Sequence, residues 1–161
     1  MILPAQIAEL PEYVRETIPA DYEDEMGHMN VRWYVWLFSA GARALFTECG
    51  LDAAYRERTR HGTFARRQFL EYHREVLVGD TVRVHTRLLG RSEKRIWFKH
   101  FLVNETRDAL AATLEATTVH VNLDERRSAP FPPEIASRID AIVAAHQALT
   151  WDPEVCGIIG P

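Results

Sequence analysis

The chain has 161 residues, 47% of them hydrophobic and 26% charged, which is enough for one domain with a sizeable core and too few for two. Lys and Arg number 19 against 23 Asp and Glu, a net charge of −4, which excludes nucleic-acid binding driven by bulk charge. An aromatic content of 10% excludes a disordered chain.

The two cysteines, Cys49 and Cys156, stand in no disulfide or metal-ligand pattern, so a reducing, cytoplasmic location is expected. The first dozen residues carry two acidic groups and no basic one, unlike a secretory leader. No apolar run approaches the ~18 residues that a membrane-spanning helix needs.

Residues 13–18 read as a first strand, stopped by Pro19. A polar loop follows over residues 21–30. Residues 31–49 then read as a helix, with Asn30 as its N-cap and Gly50 at the position that ends it. At 1.5 Å per residue this helix is about 28 Å long. Tyr34, Leu37, Phe38, Gly41, Leu45 and Phe46 share one face, yet Val35, Trp36, Ala40, Ala42 and Ala44 fill most of the rest. A helix apolar nearly all round is expected to be buried on most sides.

The second half supplies candidate wrapping. Phe64, Arg66, Gln68 and Leu70 alternate before a turn at Gly79-Asp80. Val82, Val84, Thr86 and Leu88 alternate with Arg83, His85 and Arg87, the pattern of a half-buried strand. Strands over residues 96–103 and 110–123, joined by short polar turns, complete an antiparallel meander. Pro132-Pro133 opens a last helix, with Ile135, Ile139, Ile142 and Leu149 expected on one face. The order excludes a doubly wound parallel sheet and predicts an α+β domain. One antiparallel sheet wraps one long helix over about residues 13–123, with a C-terminal helix over about 132–149.

The densest reactive cluster, Asp21 to Asn30, lies just before the long helix. Free N–H groups at a helix start stabilise a developing negative charge, and a carboxylate beside them can act as nucleophile or general base. Gly27 lets the chain turn sharply between the two. Acidic residues before a helix more often serve only as solvated caps, and His28 alone is more often structural than catalytic. A metal site from Glu23, Asp24 and His28 is the weakest of these options.

The run Asp24-Glu25-Met26-Gly27-His28-Met29-Asn30, followed by an aromatic-rich helix and a strand meander, resembles the hotdog-fold acyl-CoA thioesterases. It is similar to the 4-hydroxybenzoyl-CoA thioesterase superfamily, with its Asp-x-x-Gly-His-x-Asn signature. Residues 50–58 and 129–134 are similar to the betainyl-CoA thioesterase domains fused to carnitine dehydrogenases. The resemblance implies that Asp24 is the catalytic carboxylate, that the Val31 N–H binds the oxyanion, and that Gly27, His28 and Asn30 shape the loop. Met26 and Val31 depart from the family, which often has Asn there. The resemblance further implies an acyl-CoA substrate, a homodimer or homotetramer, and no cofactor or metal. A non-catalytic acyl-CoA-binding module is the alternative.

Arg91, Lys94 and Arg95 flank a turn, and the resemblance makes them a candidate clamp for coenzyme A phosphates. Arg56, Arg58, Arg60, Arg66 and Arg67 form a second basic run, a candidate for the 3′-phosphate of coenzyme A, with nucleic acid the weaker choice. Trp33, Tyr34, Trp36 and Trp97 are candidates for an aromatic box around a quaternary ammonium acyl group. For Trp33 and Trp36, packing in the core or at a subunit contact is the commoner role. Glu71 is a further polar candidate near the site, and solvent exposure on a strand is its plain alternative.

Overall fold

The computed structural model describes residues 2–161. In chain order these form α1 (Pro4–Ile7), β1 (Glu12–Thr17), a 3-10 turn (Ala20–Tyr22), α2 (Val31–Glu48), α3 (Ala53–Thr59), β2 (His61–Tyr72), β3 (Thr81–Arg91), β4 (Arg95–Asn104), β5 (Ala109–Asn122), β6 (Arg127–Ser128) and α4 (Pro133–Gln147). The strands run β1-β3-β4-β5-β2, all antiparallel, with β6 paired to β5. The expected meander is β3-β4-β5. The short helices α1 and α3 lack a periodic signal long enough to read in the sequence.

Helix α2 starts and stops where its caps dictate. The Asn30 side chain accepts the Arg32 N–H, and Gly50 follows the last turn at φ +86°. Its inner face, Tyr34, Leu37, Phe38 and Leu45, is buried against Val82, Val84, Leu88 and Leu102 of the sheet. Gly41 lets the two elements touch, because a Cβ there would stand 2.9 Å from Val84 Cγ1. The opposite face is open. Val31 is 54% exposed, Trp36 54% and Val35 39%, so the sheet covers one side of this helix instead of wrapping most of it.

Strand β3 also differs from the sequence pattern. His85 and Arg87 are buried like Val84 and Thr86, with which they alternate, because chain segments cover the sheet's other face. Ile2, Ile7 and Leu10 from the N-terminus pack there with Phe101, Val103 and Trp151. The polar groups on that face are met by backbone atoms. His85 Nδ1 lies 3.0 Å from the Leu10 carbonyl, and Arg87 donates to the Trp151 carbonyl at 2.7 Å. Lys99 donates to the Glu154 carbonyl at 2.6 Å, and Glu115 accepts the Cys156 N–H at 2.7 Å.

Helix α4 buries Ile135 and Ile139, with Ile142 packed beside them. Leu149 lies beyond the helix end and packs with the outer-face cluster instead. His146, in the last turn of α4, accepts the Leu88 N–H at 2.9 Å, closing the stretch of β3 that β1 does not reach. No helix among the described residues is long and apolar enough to cross a membrane.

Candidate active site

The loop before α2 is a tight hairpin. The Asp24 N–H donates to the His28 carbonyl at 3.1 Å, and the Gly27 N–H returns to the Asp24 carbonyl at 3.0 Å. Gly27 sits at φ +81° with open space around it, so backbone conformation is what calls for glycine here. Met29 is fully buried and donates its N–H to Val76, while the Asn30 N–H donates to Tyr22 at 2.8 Å. Met26 at the tip is 74% exposed.

This hairpin holds Asp24 by both carboxylate oxygens. One accepts the Met26 N–H at 2.9 Å, and the other accepts the Asn30 side-chain amide at 3.2 Å. Asn30 simultaneously uses its side-chain oxygen to cap Arg32 at 3.1 Å. The Trp33 N–H is taken by the Asn30 carbonyl. The Val31 N–H, first in the helix, has no partner among the described residues. One side chain thus ties a carboxylate to a helix start with a spare donor. Each carboxylate oxygen accepts a single bond and keeps lone-pair capacity for chemistry.

Beside this helix start lies a cavity of about 260 Å³, lined by His28, Met29, Val31, Tyr34, Tyr72, His73, Arg74 and Glu75. Asp24 is not among its lining residues. The ring of Tyr34 meets Tyr72 edge-on at 5.1 Å. Burial pushes the Tyr34 hydroxyl up to about 12, so it stays a proton donor at neutral pH. His28 is half-buried, with Nδ1 3.3 Å from the Met29 carbonyl. The lining residues 72–75 carry no sequence signal beyond the end of an alternating strand.

Several expected site residues lie elsewhere. Trp33 has Tyr22 stacked on one ring at 3.8 Å and the Arg32 guanidinium 4.8 Å from its centroid. Its aromatic face is already engaged by these neighbours, which disfavours it as a box for a quaternary ammonium. Glu71 is on an edge strand, not a central one, and faces away from α2. Its carboxylate accepts the Thr113 hydroxyl at 3.4 Å and lines an adjoining chamber of about 960 Å³ beneath the C-terminal segment, which shares Tyr72, His73 and Arg74 with the first cavity. Trp97 is bound to Glu115 at 2.9 Å on that same outer face.

Arg91 grips Asp140 of α4 with two bonds of 2.6 Å, and this pairing holds the Asp140 carboxyl below the usual range. Lys94 is half-buried and Arg95 exposed. All three lie at the far end of β3 from the Asp24 hairpin, which is pinned near Val76 and Asp80 at the strand's start. An 11-residue strand separates the two ends by roughly 35 Å. Cys49 is buried, and burial pushes its thiol up to about 12, so it packs and does not attack. Among the described residues no group of three or more His, Cys, Asp or Glu is placed to hold a metal ion.

A curled antiparallel sheet packed on one long helix, with a carboxylate tied to that helix's start, defines a hotdog-fold thioester hydrolase. Residues 18–139 match the model of the thioesterase-like superfamily, and the chain belongs to that family. It is 34% identical over 151 residues to a betainyl-CoA thioesterase of Pseudomonas aeruginosa, covering 94% of each chain. It is 29% identical to an L-carnitine dehydrogenase/betainyl-CoA thioesterase of Agrobacterium fabrum, across 94% of this chain and 31% of that longer one. Its fold superposes on a Staphylococcus aureus protein solved in complex with CoA, with TM-score 0.83, 23% identity, and 94% and 96% of the two chains covered.

Proposed function

We propose that the protein hydrolyses an acyl-CoA thioester to the free acid and coenzyme A, with Asp24 as nucleophile or general base. Asp24 either attacks the carbonyl carbon itself or takes a proton from the attacking water. The carbonyl oxygen gains negative charge as the new C–O bond forms, and the Val31 N–H with the α2 dipole is placed to stabilise it. The C–S bond then breaks and coenzyme A departs as a thiolate; the water route leaves the free acid directly, whereas attack by Asp24 leaves a mixed anhydride that a water then hydrolyses to release the acid and restore the carboxylate. A thioester carbon is electrophilic already, so the chain's own groups suffice and no cofactor is required. The observation that carries this reading is the double role of Asn30, which holds Asp24 and caps α2 at once.

The acyl group is small, either betainyl, as in the relatives' names, or another short acyl chain. A cavity of about 260 Å³ beside the helix start supports that size. The working unit is a homo-oligomer. Val31, Val35 and Trp36 on α2 and Phe64 on the edge strand β2 are exposed apolar side chains suited to a second copy. Only a neighbouring copy brings the basic turn of Arg91, Lys94 and Arg95 within reach of Asp24. Free thiols at Cys49 and Cys156 fit a cytoplasmic location.

Asp24→Asn tests the assignment. Hydrolysis of acyl-CoAs, followed as free thiol released, is expected to fall by ~100-fold or more with the fold intact. Wild-type rates in that variant would remove Asp24 from the chemistry. Binding of coenzyme A by a wild-type protein that releases no thiol from any acyl-CoA would instead favour the binding-module reading.

A further inference from the structure

Val31 and Tyr34 sit about one helical turn apart on α2, so the Tyr34 side chain leans back over the helix start that carries the spare N–H. Tyr72, the last residue of β2, meets the Tyr34 ring at 5.1 Å and an interplanar angle of 86°. Rings at a right angle turn two π faces into one corner. Tyr34 is buried and forms the inner wall of that corner, while Tyr72 is 50% exposed and open to an occupant. Both rings line the cavity of about 260 Å³ beside the helix start, as does Val31. Trp33, Trp36 and Trp97 are not among its lining residues. An acyl group whose carbonyl oxygen meets the Val31 N–H therefore lays its body against Tyr72, away from the tryptophans.

Burial raises both phenols, that of Tyr34 to about 12, so neither ionises at neutral pH and the rings act through their faces. A π face attracts a cation and gives a neutral group of the same shape no such advantage. The charges around the cavity act in the same direction. Glu75 and Arg74 both line it, both are exposed, and they offset one another. The Asp24 carboxylate, tied to the helix start through Asn30, then decides the balance. It attracts a cation close to the reacting carbonyl and repels an anion there.

We infer that Tyr72 is a specificity-determining residue, whose ring face selects an acyl group carrying a quaternary ammonium close to the thioester carbonyl. Tyr34 is a positioning residue that holds the Tyr72 ring at its angle. The inference rests on the hydrolytic reading above and narrows its acyl group from short to cationic.

Three small acyl-CoAs test the assignment: betainyl-CoA, its neutral isostere 3,3-dimethylbutanoyl-CoA, and anionic succinyl-CoA. For each, kcat/KM is read from released thiol, and the wild type is expected to favour betainyl-CoA over both others. The ammonium also activates its own carbonyl, so the deciding quantity is the betainyl-to-isostere ratio in a variant relative to wild type, from which intrinsic reactivity cancels. Tyr72→Leu is expected to lower that ratio by about tenfold, the scale of one partly desolvated cation–π contact. Tyr72→Phe keeps the ring and should stay within about threefold of wild type. A purely structural role for Tyr72 would lower both rates together and leave the ratio where it was. An unchanged ratio in Tyr72→Leu, or an equal fall in Tyr72→Phe, would overturn the inference while hydrolysis stands. So would a wild-type preference for the isostere, or for succinyl-CoA, the substrate that Arg74 would favour. These wild-type comparisons keep their force even if Tyr72→Leu does not fold. Release of thiol from none of the three fails the hydrolytic reading itself, and this inference falls with it.

Discussion

Asn30 carries two loads with one side chain, and its two atoms separate them. The oxygen caps α2 at the Arg32 N–H, and the nitrogen holds Asp24. Serine is as good an N-cap as asparagine but has no amide to reach Asp24. Asn30→Ser is therefore expected to leave the thermal midpoint close to wild type while thioester hydrolysis falls by about tenfold. A tenfold fall is about 1.4 kcal/mol of transition-state stabilisation, lost when nothing holds the carboxylate toward the helix start. Equal losses of stability and activity, measured by thermal unfolding and thiol release, would mean that the residue acts only as a cap.

Among the elements, the contact of α2 with β3 is the least forgiving. Two surfaces meet at Gly41 with no room for a side chain, since a Cβ would lie 2.9 Å from Val84 Cγ1 and 3.7 Å from His100 Cε1. Helix propensity favours alanine over glycine by ~1 kcal/mol, so an isolated helix would gain from the change. Overpacking costs about 1–3 kcal/mol and works against that gain. Gly41→Ala is accordingly expected to be neutral to destabilising by up to about 2 kcal/mol, read from a urea titration. A clear stabilisation would show that the helix shifts freely off the sheet. Strand β3 teaches the complementary lesson. Its alternation is plain in the sequence, yet the outer residues His85 and Arg87 are buried because distant chain segments lie over them.

For the whole molecule, three buried histidines set the acid response. His146 accepts the Leu88 N–H, and His120 stands between the Tyr55 hydroxyl and the Ala129 carbonyl, each 2.9 Å away. Burial lowers the pKa of His120 and His146, and takes His100 to about 3. Below the unfolded value of about 6.5, the unfolded chain binds protons that the native state refuses. Stability is therefore fully present above that pH and falls as pH drops, by up to ~1.4 kcal/mol per unit for each histidine. Asp80 adds to the loss at lower pH. Burial raises its carboxyl, but Arg107, the Leu77 N–H and the Asn104 amide outweigh burial and lower it, so its contribution disappears as pH falls below about 3.9. The urea midpoint should change little above about pH 7 and fall progressively between about pH 6.5 and 5, and a flat profile over that lower range would contradict this account.

The same scale decides where the site is completed. Asp24 and the basic turn lie at opposite ends of one sheet, so the homo-oligomer proposed above would have to draw them from different chains. Mixing Asp24→Asn with a Lys94→Glu, Arg95→Glu variant, then letting subunits exchange, should restore activity in a site where both groups are intact. Recovery well above the sum of the separate variants supports the shared site, and no recovery places both groups in one chain or removes the turn from function.

The α+β class, the meander, the extent of α2 and its caps at Asn30 and Gly50 were legible in the sequence, because periodicity and capping are local rules that a few neighbouring residues satisfy. The hairpin from Asp24 to Asn30 was legible as a motif for the same reason. Its hydrogen bonds were not, since they depend on how Gly27 folds the turn back on itself. Trp33 was a candidate for an aromatic box with packing as its commoner role, and it is engaged by Tyr22 and Arg32; Glu71 was a polar candidate near the site and lines the adjoining chamber; Arg91 was a candidate phosphate clamp and is held by Asp140. His100 stands in no motif of the sequence and is fully buried against Phe38 and Phe98. Each of these differences involves a partner far away in the chain. The length and composition, one mildly acidic chain of 161 residues, determined that one domain-sized hydrophobic core could form, and the periodicity and capping signals determined the long helix and the main strands. Only the tertiary structure decided which polar groups are engaged and which are left open, because burial and pairing arise between segments that no local pattern relates.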